Sequence, residues 1–220
     1  ETAPGPTTGD GAPMFEVDPF WPKPLPNNWL IGSTIGVAVD SRDHVWVVHR
    51  GNLGANEMPA ALDPPLAAEC CFAAPPILEF DQEGNLVGHW GGPGEGYDWP
   101  DSNHGIALDN MDNVWIGGNG GADSHVLKFT RTGEFLLQVG EHDHEGPDSL
   151  STTRYSQVAK VRYSAADNEV YIADGYGNRR VAVIDADTGE LKRFWGAYGN
   201  EPDDAALPPY DLNTAPAHGT

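Results

Sequence analysis

Three copies of one short pattern constrain this chain more than any other feature of its sequence. Each copy alternates apolar and polar residues, turns at a polar group rich in Asp and Asn, and then resumes, which predicts two antiparallel strands. The copies are Ile35–Asp40 followed by Trp46, His104–Asp109 followed by Trp115, and Ala159–Ser164 followed by Tyr171.

A second pattern follows each copy and completes a repeating unit. A strand-like run leads to a glycine-containing turn, at Gly84, Gly133 or Gly189, and a further run ends at Gly91, Gly140 or Gly196. Four antiparallel strands in roughly 40–50 residues are typical of a β-propeller blade. The predicted fold class is therefore all-β, with three four-stranded blades at 34–91, 104–140 and 158–196 within a propeller region 34–199.

The remaining segments fall outside this pattern. Residues 1–33 begin with seven prolines in the first 28 positions and predict an extended arm, whereas 200–220 predict a linker or tail. Residues 51–75 interrupt the first blade as an insertion. Because propellers have four to eight blades, we expect this to be half of a six-bladed ring. Its first and third blades should keep exposed flanks unless other polypeptide covers them.

Charge narrows the classes of partner. The chain carries 33 acidic and 12 basic side chains, for a formal net charge of −21. Such a field repels phosphate backbones and anionic lipid, so we expect neither nucleic-acid nor membrane-surface binding. No apolar run reaches the ~18 residues that a spanning helix requires, which predicts no membrane insertion.

The N-terminal segment and the two cysteines bear on where the protein is located. A proline-rich start at Glu1 is typical of a mature chain after removal of a signal peptide, which predicts a secreted or periplasmic protein, although an expressed fragment could begin the same way. The two cysteines, Cys70 and Cys71, are adjacent. A disulfide between neighbours would be strained, so we expect a fold that does not depend on disulfides.

The repeats resemble NHL-type blades, and residues 35–212 resemble the bacterial relatives of peptidylglycine alpha-amidating lyase. The matching segments are Val37–Asp40 with His49–Gly51, His104–Ile106, and Ala173–Arg180. That family is a six-bladed propeller that splits a peptidyl-α-hydroxyglycine into a peptide amide and glyoxylate. The resemblance implies a carbon–nitrogen lyase with zinc, structural calcium and a small peptide-like substrate.

Strand order alone predicts where three chemically useful side chains meet. His104 begins the first strand of its blade, whereas Arg50 and Tyr176 follow the second strands of theirs. In an antiparallel pair these positions are neighbours, so all three should gather at one mouth of the central channel, where propellers bind ligands.

The resemblance assigns a role to each of the three. His104 is implied as one of three histidine ligands to a catalytic zinc, and the aligned Ile35 and Ala159 show that a blade does not require histidine there. Arg50 would hold the substrate carboxylate, and the phenolate of Tyr176 would act as base. The alternatives are a rim histidine bonded to a neighbouring loop, an arginine paired with a carboxylate, and a tyrosine packed under the glycine-rich turn.

Three further features qualify this interpretation. Val37 and Ile106 match positions whose backbone carbonyls hold calcium in the family. Gly177 departs from the family, which has a cysteine directly after its catalytic tyrosine. The run His142–Glu145 could bind a metal, but its glycine- and proline-rich surroundings favour a solvated acidic loop. A non-catalytic extracellular binding or structural module therefore remains the alternative to a lyase.

Overall fold

Strands account for almost all the regular structure of this protein. A computed structural model describes Ala12, residues 14–51, 71–143 and 146–206, and Asn213. These residues form fourteen β-strands, with short 3-10 turns at Pro26–Asn28 and Ala197–Gly199. No helix within the described ranges is long and apolar enough to cross a membrane.

Twelve strands make three four-stranded antiparallel sheets, each with its strands in chain order. The first blade contains β2 (Thr34–Val39), β3 (Val45–His49), β5 (Ile77–Phe80) and β6 (Leu86–Trp90). The second contains β7 (Asn103–Leu108), β8 (Val114–Gly118), β9 (Ser124–Phe129) and β10 (Phe135–Glu141). The third contains β11 (Val158–Ser164), β12 (Glu169–Asp174), β13 (Arg180–Asp185) and β14 (Leu191–Trp195). The predicted all-β class with propeller blades is confirmed.

The tight turns between first and second strands are built by aspartate side chains. Asp40 accepts hydrogen bonds from the backbone N–H groups of Arg42 and His44, and Asp109 does the same for the second blade. Residues 43, 112 and 168 in these turns adopt positive φ, where Asp and Asn are the most tolerant non-glycine residues. The Asp- and Asn-rich spacers thus fix the strand register.

The core consists of two apolar layers between consecutive blades. Trp46 and Ile106 lie fully buried between the first and second blades, and Trp115 and Val161 between the second and third. Gly36 allows close packing, because a Cβ there would lie 2.8 Å from the Val48 side chain. Stacking of the sheets in this way positions β2, β7 and β11 beside one another as the innermost strands.

The N-terminal arm covers part of the first blade's outer flank, which the sequence led us to expect to be exposed. Trp21 and Trp29 pack against the layer that includes Leu78 and Phe80. The rings of Trp21 and Phe80 lie 5.6 Å apart. The arm also contributes β1 (Trp29–Leu30), which pairs in parallel with β4 (Phe72–Ala73). The inner part of the flank stays open, with Val37 53% and Val39 58% exposed.

Two features of the sequence lie partly outside the described residues. The insertion 51–75 is described only at Gly51 and from Cys71 onward. Cys71 is disulfide-bonded, and the sequence has one other cysteine, Cys70. The expectation that the fold does not depend on a disulfide stays a prediction.

Each sheet has two ends that are used differently. We call the end that holds Arg50, His104 and Tyr176 the rim. The opposite end, with the turns at 40–44, 109–113 and 164–168, is the base.

Candidate functional site

His104 and Tyr176 are in direct contact at the rim. His104 is the second residue of β7, and Tyr176 lies in the loop after β12. Their rings meet edge to face with centroids 5.3 Å apart, and the Tyr176 hydroxyl oxygen is 3.3 Å from His104 Nε2. Two residues 72 positions apart are thus joined by the antiparallel strand order.

The other ring nitrogen of His104 is held by the neighbouring blade. Nδ1 lies 2.7 Å from the backbone carbonyl oxygen of Ala159, so Nδ1–H donates to that oxygen. In the neutral ring the lone pair is then on Nε2, the atom beside Tyr176. A carbonyl that fixes the tautomer in this way is the usual outer partner of a metal-binding histidine. The alternative of a rim histidine bonded to a neighbouring loop differs from this contact, because Ala159 belongs to strand β11.

The loop that displays Tyr176 is braced by a buried ionic network. Asp174 accepts hydrogen bonds from Ser156 N–H at 2.7 Å, Asn178 Nδ2 at 2.7 Å and Arg180 Nε at 2.9 Å. Burial raises the pKa of Asp174 even though these donors stabilise its charged form. Three side chains of the segment Ala173–Arg180, those of Asp174, Asn178 and Arg180, therefore support the loop. The Tyr176 side chain is left 58% exposed.

Gly177 fits against Ser156 in a space that no side chain could share. A Cβ at position 177 would overlap the Ser156 hydroxyl and lie 2.7 Å from Ser156 Cβ. The Gly177 N–H donates to the Ser156 carbonyl at 3.0 Å. The departure from the resembled family at this position thus accompanies a different brace, in which glycine allows close approach and Asp174 fixes the loop.

Arg50 follows β3 and has a neutral partner. Its terminal nitrogen donates to Asn119 Oδ1 at 3.0 Å, and its Nε is buried without a hydrogen-bond partner. Within the described ranges no carboxylate pairs with Arg50, so the alternative of a structural salt bridge does not occur there. A half-buried guanidinium with spare donors is suited to a carboxylate or other small anion.

A cleft of about 220 Å³ lies beside Arg50. Its walls include Trp99, Asn103, Pro76 and Gly92. Arg50 reaches Tyr176 only indirectly: Gln157 Nε2 donates to the Asn119 carbonyl, and Tyr176 N–H donates to the Gln157 carbonyl, each at 3.4 Å. The structure therefore brings His104 and Tyr176 together, with Arg50 at the same end of the sheets but not in contact with them.

The two residues matched to calcium carbonyls occupy equivalent innermost strands. Val37 in β2 pairs with Val47, and Ile106 in β7 pairs with Ile116. Each innermost strand has a partner on one side within its own sheet. Ile106 is fully buried whereas Val37 is half exposed, and calcium binding at either stays a prediction.

One cluster at the rim was not expected from the sequence. His142 is not a solvated loop residue, because its side chain is only 27% exposed and its Nε2 lies 3.3 Å from Asp101 Oδ1 and 3.6 Å from Asp123 Oδ1. His144 and Glu145, the other end of the noted run, lie outside the described residues. Sequence spacing does not predict the cluster of Asp101, Asp123 and His142, because each of the three residues lies in a different connection.

Comparison with known proteins supports the NHL-type interpretation of the repeats. No protein-family model matches the chain. It is 26% identical over 183 residues to NHL repeat-containing protein 3 of Mus musculus, an alignment that covers 80% of this chain and 44% of the mouse protein. The chain therefore spans less than half the length of this relative.

Among solved structures, similar folds include the WD40 repeats of RRP9 and a streptogramin B lyase. The RRP9 comparison gives a TM-score of 0.46 at 10% identity, over 76% of this chain and 40% of the other. The streptogramin B lyase comparison gives 0.44 at 17% identity, over 87% and 47%.

Proposed function

We propose that this rim is part of the active site of an exported, zinc-dependent lyase that converts a peptidyl-α-hydroxyglycine into a peptide amide and glyoxylate. The observation that carries the proposal is the pair formed by His104 and Tyr176. The Tyr176 hydroxyl, whose deprotonated form would be the base, lies 3.3 Å from His104 Nε2, the imidazole nitrogen whose lone pair could bind a metal. The resemblance to amidating lyases supplies the substrate class.

The residues present fit one third of a catalytic zinc site. His104 offers an oriented imidazole, but it belongs to no group of three metal-ligating side chains in the part of the chain that the structure describes. Two further ligands would come from blades beyond these three. When bound, zinc would supply Lewis-acid polarisation of the substrate oxygen.

Tyr176 would act as the general base, and Arg50 would bind the substrate carboxylate. Tyr176 would remove the proton of the α-hydroxyl, so that the oxygen's electrons form the carbonyl of glyoxylate as the carbon–nitrogen bond breaks and the amide nitrogen gains a proton. Arg50 would hold the substrate carboxylate through its spare donors. The cleft beside Trp99 is large enough for a small terminal residue of a peptide.

The proposal requires additional blades. The chain aligns with 44% of its mouse relative, and Val37 and Val39 leave part of the first blade's flank uncovered. Further blades of a six-bladed ring would cover this surface and bring the missing zinc ligands to the rim.

Glyoxylate release by the intact protein tests the proposal. Tyr176→Phe should keep the metal and lower turnover about 10²–10⁴-fold, the usual range for loss of a general base. His104→Ala should lose turnover together with the zinc that His104 is proposed to hold, and Arg50→Ala should raise KM while lowering kcat. Tyr198→Phe, at a tyrosine that is 85% exposed away from the cleft lining, is the matched control and should behave as the unaltered protein.

A peptide-binding module is the second candidate, favoured by the residue types at the rim. Arg50 and Trp99 line the cleft and Tyr176 is exposed at the same end of the sheets, and Arg, Trp and Tyr are the three types enriched in binding hot spots. Bound zinc without glyoxylate release above background would reject the lyase and favour this module.

A further inference from the structure

Three separate segments of the chain bring metal-ligating atoms together at the rim. Asp101 belongs to the connection between the first and second blades, Asp123 to the loop after β8, and His142 follows β10. One ligand atom from each lies within 4.8 Å of the other two. The three residues are at least 19 positions apart in the sequence.

His142 Nε2 lies between two carboxylates without bonding to either. It is buried, and although it is 3.3 Å from Asp101 Oδ1, it has no hydrogen-bond partner among the described residues. A protonated nitrogen would be expected to turn toward one oxygen, because an unpaired buried donor costs about 1–3 kcal/mol. A lone pair directed at a shared cation has no such requirement.

A second histidine beside it, His125, also has a buried ring nitrogen without a hydrogen-bond partner within the described ranges. His125 is fully buried, its ring centroid lies 5.7 Å from that of His142, and its Nδ1 also lacks a partner. Its Nε2 bonds to the Asp98 carbonyl at 2.7 Å.

The charge at this cluster is unbalanced, in contrast to a similar group at the base. There, Asp40, His44 and Glu79 also have metal-like spacing, but the Arg131 guanidinium lies among them and pairs with both carboxylates. No Lys or Arg of the described ranges pairs with Asp101 or Asp123. Asp123 is fully buried and is stabilised by the backbone N–H groups of residues 101, 102 and 120.

We propose that Asp101, Asp123 and His142 bind a divalent transition-metal cation. One imidazole and two carboxylates form a nitrogen and oxygen ligand set that suits Zn²⁺ and its neighbours better than Ca²⁺ or Mg²⁺. The site is distinct from His104 and does not depend on the proposed lyase activity. It would tie the 91–102 connection to the 119–123 loop, whose Asn119 bonds to Arg50.

Zinc binding to the intact protein with His104→Ala tests the proposal, because that background removes the other suspected ligand. We expect a single tight Zn²⁺ equivalent by calorimetry, with Co²⁺ as a spectroscopic substitute. His142→Ala and Asp101→Asn should each weaken it by at least ~10–100-fold, the loss seen even when a metal's outer partners are removed. Asp123 is avoided, because its replacement would release three backbone donors and threaten folding.

Two matched controls separate this site from general attraction to an acidic surface. Asp143→Asn removes the same charge one residue from His142, and His89→Ala removes another exposed histidine; both should retain full affinity. The proposal is overturned if the His104→Ala protein binds no zinc. It is equally overturned if His142→Ala and Asp101→Asn bind it as tightly as the two controls.

Discussion

The rim and the base of these blades differ in how completely their buried polar groups are paired. Six buried side-chain nitrogen or oxygen atoms lack a partner in the part of the chain that the structure describes. Five of them belong to rim residues, and the base contributes one. The rim atoms are Arg50 Nε, Asn103 Oδ1, Ser124 Oγ, His125 Nδ1 and His142 Nε2, and the base atom is Trp115 Nε1.

At the base the corresponding groups satisfy one another. Arg131 of the second blade bonds to Asp40 and Glu79 of the first and to Asp112 of its own, and its guanidinium covers the Trp46 ring at 5.1 Å. The network holds two blades together. Because native proteins pair nearly all buried polar groups, the unpaired atoms at the rim support the binding roles proposed there, whereas the paired groups at the base serve to join two blades.

The largest expected effect is at the base. Arg131→Ala should lower the free energy of unfolding by about 3–5 kcal/mol, because it leaves buried carboxylates without their countercharge. Chemical denaturation of the intact protein measures it. Arg162→Ala, at an exposed arginine of β11, is the control and should change stability little. Equal losses from the two variants would break the contrast between base and rim.

Substitution of Gly177 should show that the rim also contains residues required for stability. Gly177→Ala forces the new Cβ against Ser156 and should lower the free energy of unfolding by about 1–3 kcal/mol, as overpacking does. Gly175→Ala in the same loop has nothing within 4 Å of the added atom and should be neutral. If both variants unfold alike, the close approach at Gly177 does not support the loop.

The repeats were enough to predict the blades, because strand alternation and turn residues are local signals. The same strand order placed His104 and Tyr176 at one end of neighbouring blades. The cluster of Asp101, Asp123 and His142 could not be predicted, since each residue lies in a connection whose path depends on packing of the finished sheets. The brace around Tyr176 was visible as a motif, but its physical role needed the contacts of Asp174.

Low pH should lower the stability that the base end of the sheets contributes, over the range in which Asp40 gains its proton. Burial raises the pKa of Asp40, but hydrogen bonds from the Trp46 indole, the backbone N–H groups of His44 and Arg42, and Arg131 outweigh it and hold the pKa at about 2, below the ordinary 3.8. The stabilisation that comes from the charged form is complete above the ordinary pKa and is lost as pH falls toward 2.

Thermal unfolding of Asp40→Asn across pH 5 to pH 2 isolates this contribution. The variant should be less stable than the unaltered protein at pH 5, and the difference should shrink as the pH approaches about 2, where about half of the Asp40 carboxyl groups are protonated. Asp98→Asn at the rim, an exposed carboxylate that bonds to Gln138, provides the comparison. A constant difference for Asp40→Asn over the whole range would contradict the assignment of this acid sensitivity to Asp40.

The smallest expected effect compares one tyrosine hydroxyl from each end. Tyr163 donates to Asn168 Oδ1 at 3.1 Å in a base turn, so Tyr163→Phe should cost about 1 kcal/mol, the typical net value of one hydrogen bond. Tyr176 at the rim is exposed and its hydroxyl meets His104 at a longer 3.3 Å, so Tyr176→Phe should stay within about 0.5 kcal/mol, as surface substitutions do. Denaturant titrations of both variants measure the difference in the free energy of unfolding.

Glyoxylate release measures turnover in the same two variants. Tyr163→Phe should keep full turnover while Tyr176→Phe loses it, because the Tyr163 hydroxyl contributes to a turn of the fold and the Tyr176 hydroxyl is the proposed catalytic group. If Tyr176→Phe is destabilised as much as Tyr163→Phe, the Tyr176 hydroxyl is a structural contact. The proposed contrast between structural groups at the base and ligand-binding groups at the rim would then be wrong for this residue.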